Sequence, residues 1–371
     1  MDYGDRTGSQ AGVVTGATCQ GPSHTYKTLG TFTINVVVKG SVTGTGSASR
    51  LIGVTPPIIA VGPVSVSGST IEGSSVTAKA GFTPTGVTET YRCTVDYGDG
   101  LGTPAGIVSG STCTGPKHAL RQGGSWIVTV SIYGSAGTYG TSSRTITVTN
   151  VAPVLTKFTV TPSAKAGATV TMSATFTDPG STETYQVWVN WGDGSTSTYT
   201  LGSLVRATSA THSYAKVGIY TVTVNVSDGE VAADSADVAI YDPARTLTGS
   251  GTYASGVGFC QLTAKCNVAS TGTLAVSAKY AAGATKPTVC LSLSAKEFTF
   301  NATTADWFVA VDGTAVIQGA GTVNGKTGYR YLTTLIDGQP DSLIINIIDS
   351  NGNTVYSTGL APLKTGSITL K

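Results

Sequence analysis

The stretch NWGDGS at Asn190–Ser195, followed by HSYAKVGIYTVTVNVSDG at His212–Gly229, decides how this chain is read. Its pieces recur. DYGDG occupies Asp96–Gly100 and DYGD occupies Asp2–Asp5, so the second acidic residue falls at Asp5, Asp99 and Asp193, each step being 94 residues. A histidine follows each aspartate after 19 residues, at His24, His118 and His212. A glycine follows each histidine after six, at Gly30, Gly124 and Gly218, and an aromatic comes two further on, at Phe32, Trp126 and Tyr220. Offsets held constant over three copies are an internal repeat, which outranks other sequence signals. The chain has 3 histidines, and all of them sit at the same repeat position. A catalytic or metal centre needs different groups converging on one place. One histidine per module therefore reads as a structural fixture.

Composition points the same way. Of 371 residues, 11% are charged and 48 are glycine. That mix disfavours helix and favours short strands joined by tight turns. The formal net charge is +2, with no Lys/Arg cluster, so neither nucleic acid nor an anionic membrane surface is indicated as a partner. No apolar run reaches the ~18 residues of a membrane helix. The most apolar window, Val54–Val66, is broken by Pro56, Pro57 and Pro63. MDYGDRTGSQ at the start has no signal-peptide character, and Gly359–Lys371 has no lipidation signal.

Strand signals follow each histidine. Thr31–Lys39, Ser125–Tyr133 and Ile219–Ser227 alternate apolar and polar residues with period two, as a strand buried on one side does. Further short strands recur between Gly, Pro, Asn and Asp, and no window has a capped 3.6 period, which predicts β-sandwiches. Proline-bearing joints lie at Val54–Pro57, Asn150–Pro153 and Tyr241–Pro243. There proline fixes φ, ends a strand and stiffens the joint.

Repeats 2 and 3 share residues ahead of their GDG turns: Phe82, Glu89, Thr90 and Tyr91 return as Phe176, Glu183, Thr184 and Tyr185. Repeat 1 has no such front half, so the expectation is a truncated first module whose front half, with a signal peptide, lies ahead of Met1. Cys93 and Cys113 are 20 residues apart, and Cys19 is the counterpart of Cys113. In repeat 3 the two positions become Val187 and Ala207 together. Paired loss is what a disulfide predicts, and a disulfide implies an oxidising, extracellular compartment. The other reading is two free buried thiols.

NWGDGS with H-x-Y-x3-G-x-Y-x-V-x-V and a closing D-G resembles the PKD (polycystic kidney disease) repeat. Repeat 3 matches at every signature position; repeat 2 departs at Tyr97 and Leu120; repeat 1 matches at His24, Tyr26, Gly30 and Phe32. The resemblance covers roughly residues 1–242. It implies immunoglobulin-like β-sandwiches without catalytic residues of their own, serving adhesion, ligand contact or positioning. Calcium ligation by Asp193 with Asp178 or Asp228 is the alternative to a plain turn. The counterpart of Asp178 in repeat 2 is Pro84, which has no side-chain oxygen, so no metal site and no cofactor is expected.

Arg245–Lys371 carries neither motif and reads as a further all-β domain, a sandwich or jelly roll. Its order of GSGTY, FTFNATTADWFVA, GAGTVNG and GSITLK resembles a domain that follows PKD repeats in bacterial surface proteins. Several candidate sites lie in it. Asp349-x-Asn351-x-Asn353 starts like a calcium loop, but its twelfth position is Leu360, and Asn351-Gly352 is a hairpin signal. Trp307, Phe308, Tyr329 and Tyr331 are candidate glycan-contact aromatics, set against a role in the core. Asp306, Asp312, Asp337 and Asp341 would be the carboxylates of a glycosidase, but they sit at turn signals. Cys260, Cys266 and Cys290 are an odd set without a histidine nearby, which argues against zinc. Sequons stand at Asn225 and Asn301.

The expected architecture is all-β: tandem Ig-like sandwiches (1–54 truncated, 55–150, 151–242) and a C-terminal sandwich or jelly-roll-like domain (243–371). The expected function is non-catalytic, at the cell surface or outside the cell, in adhesion, ligand contact or spacing, with an extracellular protein or carbohydrate as partner. The alternative is the spacer and substrate-binding tail of a secreted hydrolase.

Overall fold

The computed structural model describes residues 1–84, 89–255, 259–261 and 270–371. Every element among them is a β-strand. No helix among these residues is long and apolar enough to cross a membrane. The chain divides into two compact units, Met1–Asn150 and Val151–Lys371.

In the first unit, the first repeat forms two hairpins, Val13–Thr15 with Thr18–Gln20 and Gly30–Lys39 with Thr45–Val54. Phe32, Ile34 and Val36 are half-buried on one face of the longer hairpin. Asp2 pairs with Asn35. That is the register in which Asp96 meets Thr129, 94 residues later. The second repeat packs Ser65–Gly68, Ser75–Thr83 and Thr112–Thr114 against Tyr91–Asp96, Gly124–Gly134 and Tyr139–Val148, with Ala105–Ser109 pairing to both sides. Alternation puts Val128, Val130 and Ile132 in the core beside Val76, Ala78 and Ala80.

In the second unit, the third repeat is a two-sheet sandwich. Val154–Val160, Thr169–Thr177 and Ala207–Ser213 face the sheet built from Tyr185–Asn190, Thr196–Leu201, Gly218–Ser227 and Val231–Tyr241. In all three repeats the strand after the histidine begins at the repeat glycine, at Gly30, Gly124 and Gly218. The sandwich or jelly-roll outline expected of the C-terminal segment takes the form of one antiparallel sheet wrapped round its core. Its strands run in chain order from Thr246–Ser255 to Ser342–Ile348, and Ala361–Leu370 pairs with both ends of the series. Closing the ring removes exposed edges. The core of this domain reaches into the third repeat at Ala239 and Tyr241, and Tyr241 stacks on Tyr280 with ring centroids 3.9 Å apart.

Candidate functional site

The repeated motif folds the same way three times. Asp2, Asp96 and Asn190 each accept the N–H of the glycine two residues on, at 2.9, 2.8 and 2.9 Å. Those glycines, Gly4, Gly98 and Gly192, have φ near +80°. A Cβ on them would lie 2.5, 2.7 and 2.7 Å from a backbone oxygen of the strand after the histidine. Only glycine fits a left-handed turn pressed so closely on a strand. The next aspartate then reaches its histidine. Asp5–His24, Asp99–His118 and Asp193–His212 are each paired at 2.7 Å. Each imidazole stacks on the motif aromatic, Tyr3, Tyr97 or Trp191, at 4.2, 4.2 and 5.1 Å. Hydrogen bonds from the Thr7 hydroxyl and from His24 hold the Asp5 carboxyl down at about 2. Burial pushes Asp193 upward, but the Ser195 hydroxyl and His212 outweigh it and bring that carboxyl to about 2 as well.

These side chains act on one another. Each aspartate takes the backbone N–H two residues on with one oxygen and the histidine with the other, so the group locks the turn to the segment that leads into the strand beginning at the repeat glycine. The alternative of calcium ligation by Asp193 finds both of its oxygens engaged, by Ser195 and His212. Asp178 and Asp228 instead gather with Glu183, and each of the three brings a carboxylate oxygen within 4.8 Å of the others. Glu183 is 6% exposed. In the second unit this is the donor set whose chemistry suits a hard divalent cation.

Cys93 and Cys113 are joined by a disulfide. The counterpart of Cys113 in the third repeat is not Ala207. Cys113 stands opposite Ala80, and in the third repeat Thr208 stands opposite Ala174. Ala207 is exposed, whereas Thr208 is buried. Cys260 is disulfide-bonded, Cys290 and Cys19 are free, and Cys266 lies outside the described residues.

Of the two readings of the C-terminal aromatics, glycan contact and core, their burial favours the core. Trp307 and Tyr331 are 6% and 2% exposed and belong to the C-terminal core; Tyr329 is half-buried against it. Trp307, Phe308, Val309 and Ala310 are buried in succession with no bulge among them, so this part of the strand is covered on both faces and Trp307 and Phe308 are both buried. The glycosidase carboxylates have separate duties. Asp306 pairs with Arg330, Asp341 accepts the N–H groups of Gly338 and Ile368, and Asp337 accepts that of Leu370. Asp312 lies in the left-handed turn of the hairpin that joins Phe298–Val311 to Thr314–Val323. Asp349 accepts the N–H groups of Asn351 and Asn353, and its partners hold its carboxyl below the ordinary range, as in a hairpin turn. Trp188 is the residue that motif reading misses. It stands 42% exposed on the outer face of Tyr185–Asn190. Its signal in the sequence was the strand's own alternation, which buries Val187 and Val189 and turns Trp188 outward.

No curated protein matches the chain. The PKD domain of an M14-like peptidase from Thermoplasmatales archaeon SCGC AB-540-F20 is similar at 22% identity, over 24% of this chain and 97% of that one, with a TM-score of 0.21. A structure titled for host cell surface retention of a 1.5-MDa bacterial ice-binding adhesin is similar at 14% identity, over 85% of this chain and 97% of that one, with a TM-score of 0.23. A family profile described as the PKD domain matches residues 150–240. The two-sheet sandwich of the third repeat, with its GDG turn locked to His212, is a PKD domain.

Proposed function

We propose that this chain is a non-catalytic extracellular or cell-surface protein. In this reading 1–54, 55–150 and 151–242 are PKD modules, the first of them half a module, and 243–371 is a separate C-terminal β-domain. The modules provide spacing and ligand contact, and an extracellular protein or carbohydrate is the partner. The observation that carries this reading is how the motif side chains are spent: every histidine is committed to its own module's turn lock. A module whose titratable groups are consumed by folding can vary its outer faces freely, as surface-presented modules do. The PKD match and the Cys93–Cys113 bridge support an oxidising location.

Protease shaving of intact cells of the source organism tests it. Peptides of this chain should be released from intact cells or found in the medium, with Cys93 and Cys113 oxidised. Recovery only from the cytosol, with both thiols reduced, would overturn the reading.

A further inference from the structure

Trp188 has neighbours of one chemical kind. On its own strand, Gln186 and Asn190 flank it on the same outward face. Every residue paired in register with these three on Thr196–Leu201 and Gly218–Ser227 is a Thr, Ser or Asn. Thr198 and Asn225 stand directly opposite the indole. The two flanking amides are oriented. The Gln186 carbonyl oxygen accepts the Thr200 hydroxyl at 3.1 Å, and that of Asn190 accepts the Gly192 N–H at 2.9 Å. With their oxygens engaged, both amides present N–H donors on either side of the ring.

The second repeat shows that none of this belongs to the scaffold. The positions 94 residues earlier are Arg92, Thr94 and Asp96, so these three positions carry two charges and no indole, and the rings on that face, Tyr133 and Tyr139, stand on the neighbouring strands. Arg92 is drawn over Tyr133, 4.2 Å from its centroid. The third repeat has replaced a cation, a threonine and an anion by two neutral amides and an indole.

We propose that this face is a binding site for a neutral carbohydrate chain, an inference that rests on the surface-protein reading above. The indole offers a flat apolar ring to the C–H face of a pyranose. The amide donors and the surrounding hydroxyls match sugar hydroxyl and ring oxygens, and desolvating neutral groups costs far less than desolvating charges. The uncharged set has nothing to pair with an acidic polymer, and the open sheet face admits a chain rather than enclosing a small molecule.

The test is affinity electrophoresis of the full chain through gels containing hydroxyethylcellulose, xylan, glucomannan or laminarin, with alginate and heparin as charged comparators. At least one neutral polymer should retard the protein and alter its tryptophan fluorescence. Trp188→Thr, the residue of the second repeat, should raise that Kd at least tenfold without moving Tm. Gln186→Arg should weaken binding while leaving the indole in place. The proposal fails if no neutral polymer retards the wild type, if Trp188→Thr binds as well as the wild type, or if only alginate or heparin binds. Any of these failures leaves the surface reading standing, because that reading is decided by where the chain is found.

Discussion

In the second repeat Cys93 stands opposite Gly106 and bonds Cys113; in the third, Val187 stands opposite Tyr199, whose hydroxyl reaches Thr208. The same gap between the same strands is closed by different chemistry. Gly106 is glycine because a Cβ there would lie 2.6 Å from the Cys93 sulfur and 2.9 Å from the Cys113 sulfur. Where the bridge is missing, the Tyr199 ring packs against the core in its place. The lesson is that losing a disulfide is not a two-residue event. Interiors are close-packed, so the volume and the tie must both be replaced, and here three positions change together.

The largest effect that would break this comparison is removal of the bridge. Cys93→Ala with Cys113→Ala should cost the second repeat about 3 kcal/mol, as expected for a loop of this length. Hydrogen exchange should show the loss there and leave 151–240 unchanged; equal losses in both repeats would sink the contrast. Tyr199→Ala should cost the third repeat about 2–3 kcal/mol, less than a fully buried aromatic because the ring is only half-buried. Urea unfolding of that variant is the check. Gly106→Ala should cost about 1–3 kcal/mol by overpacking. Most of that cost should vanish in the background without the bridge, a coupling that a double-mutant cycle would read. If it persists, the sulfur atoms are not what keeps the position empty.

A smaller effect concerns pH. The folded Asp193 carboxyl lies at about 2, below its ordinary 3.8. A depressed folded value means the stabilisation is complete above about 3.8 and is lost as pH falls toward 2. Exchange protection of the strand from Gly218 should drop in that window, and Asp193→Asn should flatten the drop. A wild-type profile that is already flat would mean the lock contributes through shape alone. The smallest effect is Trp188→Thr, which should change stability by no more than about 0.5 kcal/mol because the side chain faces outward.

Much of this could be read from the sequence for a local reason. The aspartate, its histidine and the strand glycine keep spacings of 19 and six residues inside every repeat, so fixed offsets betray them. The Cys93–Cys113 bridge was legible because both partners left together. The counterpart of Cys113 was missed by one residue. Ala207–Ser213 runs unbroken, whereas in the second repeat Pro116 separates Thr112–Thr114 from His118–Ala119. Proline lacks the ladder donor, and the interruption shifts the pairing in a way no offset shows.

The sequence by itself determined the repeat, its turn lock and the all-β class, since these rest on period-two alternation and on residues that tolerate only one backbone. Tertiary structure alone decided which aromatics see water. Trp307 and Tyr331 lie in a region as aromatic as any in the chain, yet Trp307 is on a strand covered on both faces and Tyr331 points into the closed C-terminal sheet. Trp188 stands between two valines that a sequence reading assigns to a core, and it faces outward because only one side of Tyr185–Asn190 meets the opposing sheet. Burial depends on what packs against a face, and that partner comes from far along the chain.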